Sequence, residues 1–347
     1  MARAIRVELV APPTSAREAA AIDPQTYELL LLGRHHLHRW KPEGFVAARD
    51  YLTRAVERDP GHSAAQAWLA MAYLGIAFYE IEPRAQAYAN ASAAARAALE
   101  LDPLEGQALV VLGFEAYAHD WNWPLAEHYF RRALETSPNT PWPHWGYAHL
   151  LDSLGRHEEA IAESRLALRL DPASLFMHYA RQFVLWNAGR YAEAFAACED
   201  ARERMPDRPR AWYQCAKEVY ERTGQYERAI EMRAALSNLG PEAGYYYKIE
   251  AGSRNIGALR RAWRERGAAG YWTWVKVLRD DLGSYHAVNR AAARAQLGEV
   301  DEAIAVLEDG FRRRDQSLTA LGTEPLLDPL RGDPRFADLL RRMRLPE

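Results

Sequence analysis

Lysine is nearly missing. Of 44 basic residues only Lys41, Lys217, Lys248 and Lys276 are lysines, and the rest are arginines. That bias reads as the codon usage of a GC-rich genome and not as a phosphate-holding device. Long basic runs are missing too. Arg312-Arg313-Arg314 and Arg341-Arg342 read as solvated helix faces. With 47 acidic residues and a formal net charge of -3, the chain lacks a dominant basic footprint, so direct nucleic-acid binding is not expected. Cysteine occurs only at Cys198 and Cys215. Neither stands in CxxC or Cys/His spacing, and both are expected as small reduced core residues, with a disulfide between them as the lesser alternative. The first residues lack the apolar stretch of a secretion signal, and no run nears the ~20 apolar residues of a membrane span. A soluble, cytoplasmic chain with no membrane partner is expected. Gly252, Gly257, Gly267 and Gly270 are scattered and do not make a phosphate loop, so no cofactor is expected. Strand-favouring runs of Val, Ile and Thr are scarce while alanine abounds, which favours helix.

What is present is a period. Pro60, Pro103, Pro138, Pro172, Pro206 and Pro241 each follow an apolar, alanine-rich segment, at intervals of 43, 35, 34, 34 and 35 residues. Proline stops one helix and starts the next well. A period near 34 belongs to tetratricopeptide-type helix pairs. The unit between Pro141 and Pro172 shows the skeleton best. Trp145, Tyr147, Ala148 and Leu151 stripe its first helix, Gly155 makes the turn, and Ala160, Ile161, Ala167 and Leu168 stripe the second. The skeleton recurs with Gly113, Ala126, Phe130 and Ala133, with Gly189, Tyr191, Ala194 and Ala201, and with Gly224, Tyr226 and Ala229.

The predicted fold is all-α, a tetratricopeptide-repeat superhelical solenoid of antiparallel helix pairs. Residues 1–24 are expected as an N-terminal arm and 25–241 as about six pairs. Residues 242–347 are expected as divergent repeat-like helices closed by a capping helix, which a solenoid needs for its last apolar face.

Several stretches resemble a bacterial family of tetratricopeptide arrays: Gly33-Arg34-His35 with Pro42-Glu43-Gly44, then His119-Asp120-Trp121-Asn122-Trp123, and Asp328-Pro329-Leu330-Arg331-Gly332-Asp333-Pro334-Arg335-Phe336. The last is the most specific, and the likeness runs from about Ala2 to Pro346. In that family the array is commonly the C-terminal part of winged-helix transcriptional regulators, adenylate or guanylate cyclases, or protein kinases. The resemblance therefore implies a signalling role. No Walker, kinase or helix-turn-helix motif occurs in this sequence, so the activities of those heads do not carry over.

The first helix of each pair should line the concave face. The repeat register then points inward with Gln107, Val110, Phe114 and Tyr117, with Trp142, Trp145, His149 and Asp152, with Phe176, Tyr179, Phe183 and Trp186, and with Arg210, Tyr213, Lys217 and Tyr220. Aromatic side chains give large contact area at small entropic cost. Arg210 and Lys217 would hold a carboxylate of a partner peptide. The plainer alternative is that a tightly wound array packs these rings on each other. His144, His149 and Asp152 approach helical spacing and are the best enzymatic candidates. Yet no nucleophile accompanies them, nor the adjacent pair His119-Asp120. His35, His36 and His38 lack further ligands for a metal. A non-enzymatic scaffold or adaptor that binds a protein or peptide is expected. A ligand-sensing or regulatory module of a signalling protein is the alternative, and an enzyme using the His/Asp/aromatic groove is the remote one.

Overall fold

The computed structural model describes residues 23–38, 41–239, 255–281 and 286–346. Residues 1–22 of the arm expected over 1–24, and Tyr245-Tyr246-Tyr247 as an extension of the groove, lie outside the described residues. Twelve helices form six consecutive pairs: α1 (Pro24–His38) with α2 (Pro42–Arg58), α3 (Ser63–Phe78) with α4 (Arg84–Leu101), α5 (Gly106–Phe114) with α6 (Trp123–Thr136), α7 (Pro141–Ser153) with α8 (His157–Leu170), α9 (Leu175–Asn187) with α10 (Tyr191–Arg204), and α11 (Pro209–Arg222) with α12 (Tyr226–Asn238). Then come α13 (Ile256–Asp281), α14 (Ala287–Ala295), α15 (Val300–Arg312), 3-10 turns at Gln316–Ala320 and Pro325–Leu330, and α16 (Pro334–Met343). No strand occurs among the described residues.

The period is set by one repeated turn. Gly155, Gly189 and Gly224 take φ of 71°, 70° and 70°, where glycine meets no Cβ penalty. After each, the next amide donates five residues back: Arg156 N to Leu151 O at 2.9 Å, Arg190 N to Leu185 O at 2.8 Å, and Gln225 N to Tyr220 O at 2.8 Å. This satisfies a carbonyl that the helix end would otherwise leave open. Gly298 repeats the turn between α14 and α15, with Glu299 N on Arg294 O. Two earlier units place Glu80 and Trp121 at positive φ instead, a cost of roughly 1–2 kcal/mol for a residue with a Cβ. At Trp121 burial offsets it: the indole is 7% exposed, packs on Phe311, and lies under the Arg314 guanidinium.

Close approach between helices comes from small residues. A Cβ on Gly146 would stand 2.4 Å from the Phe130 ring, and one on Gly113 2.6 Å. Phe130 of α6 thus wedges between α5 and α7, fully buried, which contributes about 2–3 kcal/mol. α13 is broken at Gly267 (φ 57°, ψ -137°). The chain turns back there so tightly that a Cβ on Gly270 would collide with the Ala262 carbonyl.

The C-terminal region then returns to the first repeats. Trp123 Nε1 donates to Met343 O at 2.6 Å, Arg84 Nη1 to Arg314 O at 2.8 Å, and Gln316 Nε2 to Phe78 O at 3.3 Å. Pro325–Leu330 packs on α14, and Gln316–Ala320 on α7. The chain's own C-terminal elements therefore lie across the concave side, which the sequence reading had left open.

The cysteines correct a second expectation. Cys198 of α10 and Cys215 of α11 are joined in a disulfide, with Cα atoms 5.8 Å apart. Their separation of 17 residues puts them on facing sides of helices from neighbouring repeats, within bridging distance.

Candidate functional site

The concave faces of α5, α7, α9 and α11 converge on a partly open chamber of about 210 Å³. One wall is aromatic. The Phe114 and Trp145 ring centroids are 4.2 Å apart, Trp145 and Phe176 4.7 Å, His149 and Phe183 5.3 Å, and Tyr179 and Trp186 5.8 Å. These distances suit offset and edge-on ring contacts. They exist because residues three, four and seven apart share a helix face, so Phe176, Tyr179, Phe183 and Trp186 form one stripe.

The other wall is charged. Arg222 Nη1 donates to Glu218 Oε2 at 2.6 Å and Nη2 to Glu324 Oε2 at 2.7 Å. Lys217 Nζ lies 2.9 Å from Glu218 Oε1. Burial pushes the Glu218 carboxyl up, but Lys217 and Arg222 outweigh it and hold it well below the usual carboxylate range. Burial also works against the Arg222 charge, and Glu324 and Glu218 more than restore it. Both ions of such a buried pair keep their charge because each satisfies the other. Behind this wall Glu221 of α11 accepts from Arg233 of α12 and Tyr271 of α13. Burial raises the Tyr271 hydroxyl pKa well above its ordinary value.

The roof is the C-terminal segment. Gln316, Ser317, Thr319, Ala320 and Glu324 border the chamber, as do Arg279, His286 and Arg290. Asp315 accepts from Ala287 N at 3.0 Å, and Ser317 Oγ from Val288 N at 3.2 Å, which tie the segment to α14.

The structure brings together Phe114, Tyr117, Trp145, His149, Phe176, Tyr179, Phe183, Trp186 and Lys217 on this chamber. The other expected groove residues fall elsewhere. Trp142 stands behind the wall, against Trp145 and Phe176. Tyr213 meets Trp212, and Tyr220 packs on Phe195 of α10 under Arg228 of α12. Arg210 is 5% exposed and does not border the chamber, so it does not join Lys217 in a carboxylate clamp. The physical reason is register: positions at the start of α11 and on its far side turn into the contacts between repeats.

The three enzymatic candidates do not assemble. His144 Nδ1 pairs with Glu163 at 2.6 Å and its Nε2 with Pro138 O. Asp152 accepts from Asn187 Nδ2 at 2.7 Å and lies 3.2 Å from His157 Nδ1. Only His149 faces the chamber. It keeps some surface open to that space, and burial lowers its pKa to about 4. His119 stacks on Tyr88 at 4.9 Å, and His36 on Tyr51 at 5.4 Å. Among the described residues no three His, Cys, Asp or Glu side chains are grouped to hold a metal ion.

Sequence reasoning missed Arg222, Glu324, Arg279, Arg290 and the Gln316–Ala320 turn. None carries a local pattern. The resemblance around Asp328–Phe336 was the one signal that the C-terminal segment has a fixed place.

A stack of helix pairs around a concave chamber defines a solenoid repeat protein. Residues 144–174 and 185–251 each match a family model described as tetratricopeptide repeat, and the chain carries tetratricopeptide repeats over those residues. The fold is similar to that of yeast Tom70 at 14% identity, over 93% of this chain and 69% of that one, with a TM-score of 0.50. It is also similar to PilW, described as a type IV pilus biogenesis factor, at 16% identity over 62% of this chain and 94% of that one, with a TM-score of 0.47. In sequence it is 31% identical over 142 residues to the transcriptional regulator HilA of Salmonella typhimurium. That match covers 41% of this chain and 26% of the regulator, so the chain matches about a quarter of the length of this curated relative. Such arrays present concave surfaces on which other proteins dock. Among the described residues no helix is long and apolar enough to cross a membrane.

Proposed function

We propose that the chain is a non-enzymatic interaction module that holds a short segment of a partner protein in the aromatic chamber. The observation that carries this reading is the chamber itself: six aromatic rings from α5, α7 and α9 converge on one concave space. Aromatic-lined pockets are where interface energy concentrates. The roof narrows the occupant. At about 210 Å³ the chamber exceeds the ~150 Å³ cavity that takes benzene. It falls short of the ~300 Å³ at which pockets for larger ligands begin. One or two apolar side chains of a partner fit, and a long extended peptide requires the roof to lift. Contact with nucleic acid or membrane by this chain forms no part of the reading.

The test is comparative capture from cells of the source organism, with wild-type chain against a Phe176→Ala/Phe183→Ala variant of unchanged helicity. Proteins retained at least tenfold more by the wild type support the chamber. Identical retention by both contradicts it.

The similarity to a transcriptional regulator favours a second reading, in which the module is the regulatory part of a signalling protein and roof movement is its output. We place it in the cytoplasm on that reading. There the Cys198–Cys215 bond forms only transiently, because the cytosolic thiol pool reduces disulfides.

A further inference from the structure

On the opposite side of α9 from the chamber, a second cavity of about 600 Å³ opens between α8 and α10. Arginines dominate its rim: Arg165 and Arg169 from α8, Arg181 from α9 and Arg204 from α10. Arg204 Nε donates to Asp200 Oδ1 at 2.8 Å, and Arg165 Nη2 to Glu193 Oε2 at 3.3 Å. Arg169 and Arg181 make no hydrogen bond or ion pair with any described residue. Arg181 is half-buried, and its Nε is buried without an acceptor. Such a group is costly to leave unmatched, since a buried charge-bearing donor forfeits its water without gaining a partner. His178, also on the wall, does not offset the charge. Its Nε2 bonds Pro172 O at 3.1 Å, and burial lowers its pKa, which favours the neutral ring.

We propose that this crease binds a phosphate monoester. Two guanidiniums stand without an ion-pair partner, and the one carboxylate of the wall, Asp200, is held by Arg204 and reaches Arg181 only at longer range. A phosphate monoester carries ≈ -1.5 to -2 at pH 7, whereas a carboxylate would cancel only one. Guanidinium forks match tetrahedral oxyanions with paired hydrogen bonds. The mouth is open to solvent, so the organic part of the ester extends outward. The phosphate can come from a phosphorylated side chain of a partner protein or from a free phosphate compound. This site is independent of the chamber and shares no lining residue with it.

The full chain, in phosphate-free buffer, is titrated by calorimetry with inorganic phosphate, with a phosphoserine peptide, and with the same peptide unphosphorylated. The phosphopeptide is expected to bind about tenfold or more tighter than its unphosphorylated twin, as loss of charge-assisted hydrogen bonds implies. An Arg169→Gln/Arg181→Gln variant should lose about as much, and affinity should fall with added salt. Phosphopeptide binding that exceeds that of inorganic phosphate assigns the site to a modified protein, and equal binding assigns it to free phosphate. Arg169→Gln alone changes an exposed side chain, leaves folding intact, and should weaken phosphate binding severalfold. Absence of binding by both phosphate probes overturns the proposal. So does equal binding of the two peptides, or full affinity in the double variant.

Discussion

Arg222 and Glu324 are 102 residues apart in the chain and meet at 2.7 Å, with 4% and 5% of their side-chain surfaces exposed. Arg222 also lies over the Trp186 ring at 5.1 Å. One side chain thus ties the aromatic wall to the C-terminal roof.

Removal of one partner leaves the other charge buried and unmatched. Glu324→Ala should therefore destabilise the closed state by about 3–5 kcal/mol. It also removes the Glu324 Oε1 cap on Leu326 N. Hydrogen exchange should accelerate across residues 316–330 while α7–α10 keep their protection. Unchanged exchange in the roof would mean that the pair does not hold it.

His149 gives the chamber an acid limit. Its folded pKa of about 4 lies below the ordinary value of about 6.5. Between those values the unfolded chain binds more protons. The stability contributed by neutral His149 is complete above pH 6.5 and is lost as pH falls toward 4, by at most roughly 3 kcal/mol. His149→Gln should flatten that part of the melting-temperature profile relative to wild type. Parallel profiles would show that His149 does not titrate there.

The disulfide closes a loop of 17 residues between two repeats. A loop of that size is stabilised by about 3 kcal/mol through restriction of the unfolded chain. Reduction, or Cys198→Ser, should lower the melting temperature, and non-reducing peptide mapping should recover Cys198 linked to Cys215. Equal melting with and without reductant would show that the bond is absent in the purified protein.

Gly146 has no room for a Cβ beside Phe130. Gly146→Ala should cost about 1–3 kcal/mol by overpacking. Gly146→Ala with Phe130→Leu should recover part of that, since the two sites share one contact. Additive losses in denaturant melts would place the strain elsewhere.

The repeat was legible because two chemistries mark it at the same period. Proline ends each pair, and Gly155, Gly189 and Gly224 make its inner turn. The stripe Phe176–Tyr179–Phe183–Trp186 was legible for the same reason, since helical spacing alone puts it on one face. The roof was not. Arg222 to Glu324 and Gln316 to Phe78 are contacts between distant segments, and nothing in the flanking sequence encodes either partner. Arg210, Tyr213 and Tyr220 were misplaced because a repeat consensus gives one register, and it does not say which concave positions a neighbouring helix covers. Arg169 and Arg181 escaped notice inside a general excess of arginine. Only the lack of an ion pair separates them from Arg165 and Arg204 around the same cavity.

The central claim is that the aromatic chamber under the C-terminal roof is where a partner docks. Hydrogen exchange on the chain with its captured partner tests it most directly. The account predicts new protection in Pro141–Ser153 and Leu175–Asn187, with altered exchange in 316–330. Protection confined to the second helices of the repeats, with these three segments unchanged, would contradict it.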